Sequence, residues 1–256
     1  MDTDLEVLLT NDDGIDSPGF RALYDALSAV ANVTAVAPAS DQSAVGRTMS
    51  SEVSVEEHEL GFAIAGTPVD CIVAGLEALC PGPDLVVSGC NTGANLGAYV
   101  LGRSGTVSAA VEAAFCGVPA IAVSLYIPED EWPRTPGVEE YEEACRAARY
   151  LVERAPARGV FEHADYLNVN APLPGGEPAT MAITRPSTVY EMGATQNGDS
   201  ITLHDLSWEA MGEGDIDDPE GTDRRAITDG TVSVSPLTAP HTTERHEALD
   251  RLAAEY

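Results

Sequence analysis

The sequence contains no lysine and few basic residues of any kind. All 13 basic residues among its 256 are arginines, against 42 aspartates and glutamates. Without lysine the chain can form no Schiff base, no lysine-containing phosphate-binding loop and no receiver-type phosphoacceptor site. The formal net charge of −29 repels the phosphates of nucleic acids and of anionic membranes, so we expect neither as a partner.

Long apolar runs and paired cysteine motifs are also missing. No stretch approaches the roughly 18 consecutive apolar residues that a membrane helix needs, and the acidic first ten residues do not resemble a signal peptide. The five cysteines are widely spaced and form no C-x-x-C pair, which disfavours a disulfide framework and a zinc site. We therefore expect a cytoplasmic protein.

The acidity has two possible meanings, disorder or adaptation to salt. A hydrophobic content of 44% with clear periodicity argues against disorder. In molar salt the Debye length is about 3 Å, so self-repulsion is screened. The composition is similar to that of proteins from salt-in extreme halophiles, and we interpret the charge as a property of the solvent rather than of the substrate.

Predicted strands and helices alternate through the first 172 residues. Short apolar runs that fit buried strands are followed by segments with apolar residues at helical spacing. This alternation is typical of an α/β fold with a doubly wound, mostly parallel sheet, whose ligands bind beyond the carboxyl ends of the strands. The predicted strands are 6–10, 33–36, 85–88, 120–125 and 166–170; the helices are 20–30, 106–116 and 138–155; a hairpin over 52–65 and a helix capped by Thr67 lie between them.

The pattern changes after Pro172. Strands are predicted over 180–185, 200–206 and 231–235, a very acidic segment over 209–223, and a helix over 242–256. Because regular alternation is lost, we divide the chain into a catalytic core, 1–172, and a C-terminal strand and helix extension, 173–256. We expect this extension to pack on the core or on a neighbouring subunit.

Polar residues follow three of the predicted strands and should meet at one edge of the sheet. Asp12 and Asp13 come after the first, Ser43 lies in the loop after the second, and Asn91 and Asn95 follow the third. Two adjacent carboxylates repel unless one is protonated or a cation lies between them. Carboxylate, hydroxyl and amide oxygens suit Mg²⁺ or Mn²⁺ rather than Zn²⁺. Taken singly, each cluster also fits a helix cap, a surface loop or a tight turn.

A fourth polar cluster precedes the helix over 106–116. Ser104, Gly105 and Thr106 place hydroxyl groups and free N–H groups at a helix start. The N–H groups and the helix dipole favour an anion such as phosphate there. An ordinary Ser/Thr helix cap has the same sequence.

The motifs taken together resemble the SurE family of survival-protein phosphatases. The matching strings, in order over residues 8–125, are LLTNDDGIDSPG, VAPASDQSAVG, GTPVDC, PDLVVSGCNTGANLG and SGTVSAAVEAAFCGVPAIAVSL. LNVNAP (167–172) and VSVSPL (232–237) match further along. No single string is decisive, but their joint order and spacing are highly specific.

The resemblance implies a Rossmann-like core and hydrolysis of nucleoside 5'- or 3'-monophosphates, in some members with polyphosphate cleavage. We favour metal-assisted attack by water over attack by Asp12 or Asp13, because both carboxylates would be bound to the cation. The resemblance further implies one divalent cation per subunit, Mg²⁺ or Mn²⁺, with four ligands: Asp12, Asp13, Ser43 and Asn91. The same two aspartates would be the catalytic residues. It places four residues on the phosphate side: Asn95, Ser104, Gly105 and Thr106. It also suggests a homodimer or homotetramer formed by exchange of the extension.

Three other functions stay open at this point. Phosphatases of the haloacid-dehalogenase type use an aspartyl nucleophile in D-x-D and usually a later lysine, whereas this chain has adjacent aspartates and no lysine. A non-catalytic, Mg²⁺-dependent nucleotide sensor would need the same ligands. A dinucleotide-binding oxidoreductase is disfavoured because no G-x-G-x-x-G follows the first strand.

Overall fold

Eleven strands and eight helices make up the fold in a computed structural model, which describes residues 5–128, 131–214, 216–241 and 247–254. The strands are β1 (Glu6–Thr10), β2 (Asn32–Pro38), β3 (Val55–His58), β4 (Gly61–Ile64), β5 (Leu85–Thr92), β6 (Ala120–Leu125), β7 (Tyr166–Ala171), β8 (Met181–Ile183), β9 (Met192–Asn197), β10 (Ser200–Asp205) and β11 (Val232–Leu237). The helices are α1 (Pro18–Ser28), α2 (Pro68–Ala74), α3 (Ala98–Leu101), α4 (Gly105–Phe115), α5 (Glu142–Arg154), α6 (Leu206–Glu213), α7 (Asp223–Thr228) and α8 (Glu247–Ala254).

Nine of the strands form one twisted sheet in the order β3-β4-β2-β1-β5-β6-β7-β11-β8. The strands from β4 to β7 in this order are all parallel. At one edge β3 is antiparallel to β4, and at the other β11 is antiparallel to β7 and parallel to β8. The predicted α/β fold with a mostly parallel sheet is confirmed.

Helices cover both faces of this sheet. The side chains of β1 alternate between the two faces, as a strand requires: Val7 and Leu9 join the core beneath α1 and α5, whereas Leu8 joins the core beneath α2 and α4. All three are fully buried. The doubly wound architecture therefore follows from continuous apolar strands between two helix layers.

Helix α2 begins where the sequence predicts. The Thr67 hydroxyl accepts a hydrogen bond from the Asp70 N–H (3.2 Å), and the Asp70 carboxylate accepts one from the Thr67 N–H (2.8 Å). Pro68 occupies the first helical position, where its missing N–H costs nothing. A reciprocal cap of this kind is worth about 1 kcal/mol.

The region after Pro172 is partly built into the main sheet. Strand β11 lies between β7 and β8, and the β9–β10 hairpin forms a separate two-stranded sheet. The Asp223 carboxylate accepts hydrogen bonds from the N–H groups of Gly97 and Ser187, both at 2.8 Å, and so ties α7 to the loop after β5. In the acidic segment over 209–223, residues 209–213 belong to α6 and Asp223 begins α7, while residues 214 and 216–222 form no helix or extended strand.

Several expectations for this region differ from the structure in detail. The strand predicted over 200–206 ends at Asp205, whose carboxylate caps α6, and neither β9 nor α6 was predicted. Of the helix predicted over 242–256, residues 247–254 are helical and the others lie outside the described residues. All five cysteines are free thiols. No helix in the described ranges is long and apolar enough to cross a membrane.

Candidate active site

The turn after β1 carries the two aspartates and is held in shape by its own side chains. The Asn11 amide donates to the Gly14 carbonyl (2.8 Å) and to the Ser17 hydroxyl (3.0 Å). Gly14 has a φ of 97°, and a Cβ there would lie 3.3 Å from the Ser40 carbonyl carbon. Glycine therefore permits both the backbone angle and the close approach to the loop after β2.

Asp12 is a buried carboxylate, 3% exposed, at the N-terminus of α4. Its Oδ1 accepts a hydrogen bond from the Thr106 hydroxyl, and Gly105 packs so closely that a Cβ there would lie 2.7 Å from Oδ2. No basic side chain forms an ion pair with it within the described parts of the chain. Burial, and secondarily the charge of Asp13, raises the pKa of Asp12 to about 7. Such an isolated acid favours a bound cation.

Asp13 points toward a cavity of about 660 Å³ at the carboxyl edge of the sheet. Its Oδ2 accepts a hydrogen bond from the Thr92 N–H (2.9 Å), so the turn after β1 is joined to the end of β5. Burial raises the pKa of Asp13, the Thr92 hydrogen bond opposes this, and the nearby Asp41 raises it further. Asp13, Asp41, Ser43 and Thr92 all line the cavity.

Ser43 and Asn91 have oxygen lone pairs left for a further partner. The Ser43 hydroxyl donates a hydrogen bond to Asp41 Oδ1 (2.6 Å), and the Asn91 amide group donates one to the Gly93 carbonyl. The Gln42 N–H donates to the Asp12 carbonyl (2.7 Å) and ties the Ser43 loop to the aspartate turn. The Ser43 hydroxyl oxygen can therefore accept a hydrogen bond or coordinate a cation, and Asn91 Oδ1 can do the same.

The residues present fit a hard divalent cation. Two carboxylates without a basic partner balance its charge, and a hydroxyl and an amide add neutral oxygens. No group of three or more His, Cys, Asp or Glu side chains in the described residues could hold a metal. A donor set with only two acids would leave room for the charge of a phosphate dianion once a divalent cation is bound.

The four residues expected on the phosphate side do not all face the aspartates. Thr106 donates to Asp12, while the Ser104 hydroxyl caps α4 by accepting from the Val107 N–H (3.1 Å). Asn95 is buried, and its amide group donates to the Ser124 hydroxyl (2.9 Å) at the end of β6. The Ser104–Thr106 turn therefore adjoins Asp12 directly, and the Asn95 side chain is engaged by the neighbouring strand.

Sequence reasoning missed an aromatic and a basic residue near Asp13. Trp132 and Arg134 line the cavity beside Asp13. Arg134 is not free to bind an anion through its terminal nitrogens, which pair with Glu140 (2.8 and 2.7 Å) and with Glu131 (2.8 Å). Nothing in the segment around 131–137 repeats a recognisable motif, so no local signal could have identified these residues.

Comparison with known proteins identifies the family of the chain. The chain is 65% identical to a protein of Haloarcula marismortui named 5'-nucleotidase SurE, over 98% of this chain and 94% of that protein. It is 63% identical to a protein of the same name from Halobacterium salinarum, with both chains fully covered. The crystal structure of the SurE protein from Aquifex aeolicus superposes with a TM-score of 0.79 at 31% identity, covering 97% of this chain and 99% of that one. A sequence model described as survival protein SurE matches residues 7–192, and the chain belongs to this family.

Proposed function

We propose that the protein is a 5'-nucleotidase, a phosphoric monoester hydrolase that acts on nucleoside monophosphates. The names of its haloarchaeal relatives, at above 60% identity over nearly the whole chain, support this activity. The observation that carries the proposal is the buried Asp12 carboxylate beside Asp13. It lies against the start of α4, whose dipole favours an anion. A cation and a phosphoryl group can therefore bind side by side.

The proposed ligands of one divalent cation, Mg²⁺ or Mn²⁺, are Asp12, Asp13, Ser43 and Asn91. Two hydrogen bonds support the set, because they join the segments that carry these residues: the Gln42 N–H donates to the Asp12 carbonyl, and the Thr92 N–H donates to Asp13. Within its own loop, the Ser43 hydroxyl donates a hydrogen bond to Asp41. The cation would supply Lewis-acid polarisation of the phosphoryl group when bound.

The chain's own residues would position the reaction. The N-terminal turn of α4 orients the phosphoryl oxygens by its dipole, and Thr106 and Gly105 keep Asp12 in one place. Asp16 and Asp41 line the same cavity as Asp13 and are candidate proton acceptors for an attacking water. Asp41 already accepts a hydrogen bond from the Ser43 hydroxyl, and Asp16 pairs with His58 (3.2 Å).

We propose direct attack by water rather than an aspartyl-phosphate intermediate. Asp12 is enclosed by Gly105 and Thr106, so its oxygens could reach a phosphorus atom only if the carboxylate left its packed position. Asp13 is held by Thr92 through one oxygen alone. If a covalent route operates, Asp13 is therefore the better nucleophile.

The test is phosphate release from AMP and GMP in molar KCl, with and without Mn²⁺, together with calorimetric titration of the metal. Asp12→Asn and Asp13→Asn should lose turnover and bound metal, and Ser43→Ala and Asn91→Ala should weaken metal binding less because each removes a neutral ligand. Asp25→Asn, on the exposed face of α1, is the matched control. Metal and AMP binding without phosphate release would indicate a nucleotide sensor instead, and unchanged metal affinity in Asp12→Asn would overturn the ligand set.

We further propose that residues 173–256 assemble subunits into a homodimer or homotetramer. The β9–β10 hairpin lies outside the main sheet, and an isolated two-stranded hairpin is marginal in water. Large apolar side chains on this part of the chain are exposed: Ile183 by 70%, Ile201 by 62% and Leu203 by 72%. Contact with a second subunit would remove them from water.

A further inference from the structure

Tyr141 brings a hydroxyl group into an otherwise apolar part of the core. It is the last residue of a short 3-10 turn (Val138–Tyr141) that leads into α5, and its side chain is fully buried among apolar residues of α1, α5 and the sheet. Burying a hydroxyl costs free energy unless it is hydrogen-bonded, and phenylalanine would fill nearly the same space without that cost. Packing alone therefore does not account for this hydroxyl.

The hydrogen-bond partner of Tyr141 is Thr92, the last residue of β5. The Tyr141 hydroxyl oxygen and Thr92 Oγ1 are 2.7 Å apart. Among the described residues no other hydrogen-bond partner lies at this phenol, so we assign it as the donor and Thr92 as the acceptor. The Thr92 hydroxyl can then donate in turn, and the Asp13 carboxylate lies beside it.

Thr92 contacts Asp13 through its backbone and its side chain. The Thr92 N–H donates to Asp13 Oδ2 (2.9 Å). Burial raises the pKa of Asp13, and hydrogen bonds from the N–H and the side chain of Thr92 oppose this rise. A row of hydrogen bonds therefore runs from the core through Tyr141 and Thr92 to one of the two acids of the site.

The ring of Tyr141 has little room to move. A Cβ added to Gly19, in the first turn of α1, would lie 2.7 Å from Tyr141 Cε1 and 2.2 Å from the Cys90 carbonyl oxygen. The residue before Tyr141 is anchored too, because the Glu140 carboxylate accepts two hydrogen bonds from Arg134 (2.8 and 2.7 Å). The Tyr141 hydroxyl is therefore held at a fixed place beside the end of β5.

Thr92 depends on such support because the strand ladder before it is irregular. The pairing of β5 with β6 shifts register between Ser88 and Asn91. Irregularities of this kind locally disrupt a ladder and redirect side chains. The direction of the Thr92 N–H, and the place of the neighbouring Asn91, are therefore fixed in part by side-chain contacts.

We propose that Tyr141 is a positioning residue of the metal site: its hydroxyl orients Thr92, which holds Asp13 and keeps Asn91 in place. The inference rests on the proposed function, because Asp13 and Asn91 are two of the four proposed ligands. Removing a hydrogen-bond partner of a metal ligand typically lowers metal affinity about 10- to 100-fold. Tyr141 acts through Thr92, so we expect the lower end of this range, about tenfold.

Calorimetric titration of Mn²⁺ in molar KCl, without substrate, tests this role. Tyr141→Phe removes only the phenol hydroxyl, and Thr92→Val removes the other hydroxyl but keeps the N–H. Each should weaken Mn²⁺ binding about tenfold or more. The double variant should bind no more weakly than Thr92→Val alone, because both changes remove the same interaction.

Two further variants serve as matched controls. Thr92→Ser keeps a hydroxyl and should keep the Mn²⁺ affinity of the wild type. Tyr166→Phe also removes the hydroxyl of a buried tyrosine, but at the amino end of β7, away from the site, and should not change the affinity. Should Tyr141→Phe fold poorly, the comparison of Thr92→Val with Thr92→Ser still tests the hydrogen bond.

Turnover distinguishes weaker metal binding from loss of the fold. Raising the Mn²⁺ concentration should restore most of the kcat for AMP in Tyr141→Phe, because mass action fills a weakened site. A kcat that stays low at saturating Mn²⁺, with the wild-type affinity retained, would contradict a role in placing the metal ligands.

Asp13→Asn shows whether this inference or the proposed function has failed. Loss of Mn²⁺ affinity in Asp13→Asn, with unchanged affinity in Tyr141→Phe and Thr92→Val, would overturn the positioning role and leave the nucleotidase function intact. An equal loss in Thr92→Ser and Thr92→Val would rule out the path through the hydroxyl. Wild-type affinity in Asp13→Asn would refute the ligand set, and the role of Tyr141 with it.

Discussion

Gly105 should be the position at which the smallest change does the most harm to the site. A Cβ added there would lie 2.7 Å from Asp12 Oδ2, 2.8 Å from Asp12 Cβ and 3.1 Å from Asp12 Cγ. Rotation of the Asp12 side chain can move Oδ2 away from the added Cβ, but it cannot move Asp12 Cβ. Gly105→Ala therefore forces α4 and the aspartate turn apart.

The size of this effect follows from the overlap. Ordinary contact between carbon atoms begins at about 3.5 Å, whereas the added Cβ would lie 2.8 Å from Asp12 Cβ. The two backbones must therefore move apart by roughly 0.7 Å. Overpacking of this kind costs about 1–3 kcal/mol in the free energy of unfolding. A displacement approaching 1 Å in an active site lowers the rate by up to about 100-fold. We expect Gly105→Ala to lose stability, Mn²⁺ affinity and turnover together.

Urea unfolding, Mn²⁺ calorimetry and phosphate release from AMP measure the three losses. The matched control is Gly102→Ala, three residues earlier, where an added Cβ meets no atom of the described chain within 4 Å and φ is −80°. This control should be neutral or slightly stabilising, since alanine restricts the unfolded chain. If Gly105→Ala were as stable as Gly102→Ala and kept its metal affinity, the close contact between α4 and Asp12 would be refuted.

Four further predictions concern chemistry, pH, salt and assembly. Hydrolysis of a chiral phosphate ester in ¹⁸O water should invert configuration at phosphorus, and retention would point to Asp13 as nucleophile. Burial raises the pKa of Asp70, but hydrogen bonds from the Ser50 and Thr67 N–H groups outweigh it and lower the pKa overall. The ionised carboxylate therefore stabilises the fold above pH about 4. Asp70→Asn should lower the free energy of unfolding, measured in urea, by about 1–2 kcal/mol at pH 7, and this loss should become smaller below pH about 4. Thermal midpoints should rise from dilute buffer to molar KCl as self-repulsion is screened; a flat profile would make the acidity irrelevant to stability. Light scattering in molar KCl should give the mass of a dimer or tetramer, and a monomer at micromolar concentration would contradict the assembly.

The sequence predicts those parts of the fold in which local pattern and tertiary burial agree. The run around Leu8 is apolar on both faces because helices cover both, and the Thr67 cap and Pro68 start α2 by contacts within one turn. The aspartates and Asn91 could be placed at one edge because parallel strands bring their carboxyl ends together. The Thr92–Asp13 hydrogen bond joins the two clusters directly.

Other features depend on contacts between distant segments and leave no local pattern. Strand β9 contains glycine, glutamine and asparagine without alternation, and it forms only because β10 pairs with it. Nothing in the sequence indicates that Thr106 turns toward Asp12, or that Trp132 and Trp208 line one cavity together with Asn91. No sequence motif marks this cavity, because its lining residues come from segments far apart in the chain.

The hydrogen bond from the Gly97 N–H to the Asp223 carboxylate can form only late in protein synthesis. The two residues are 126 positions apart, so at 5–20 residues per second the ribosome needs roughly 6–25 s to make the second after the first. Until then the loop after β5, which carries Asn95, lacks this hydrogen bond, and β8 cannot pair with β11. The nascent chain can thus complete most of the sheet while its active-site loop is still unsecured. Enzymatic competence is expected to be among the last properties that the protein acquires.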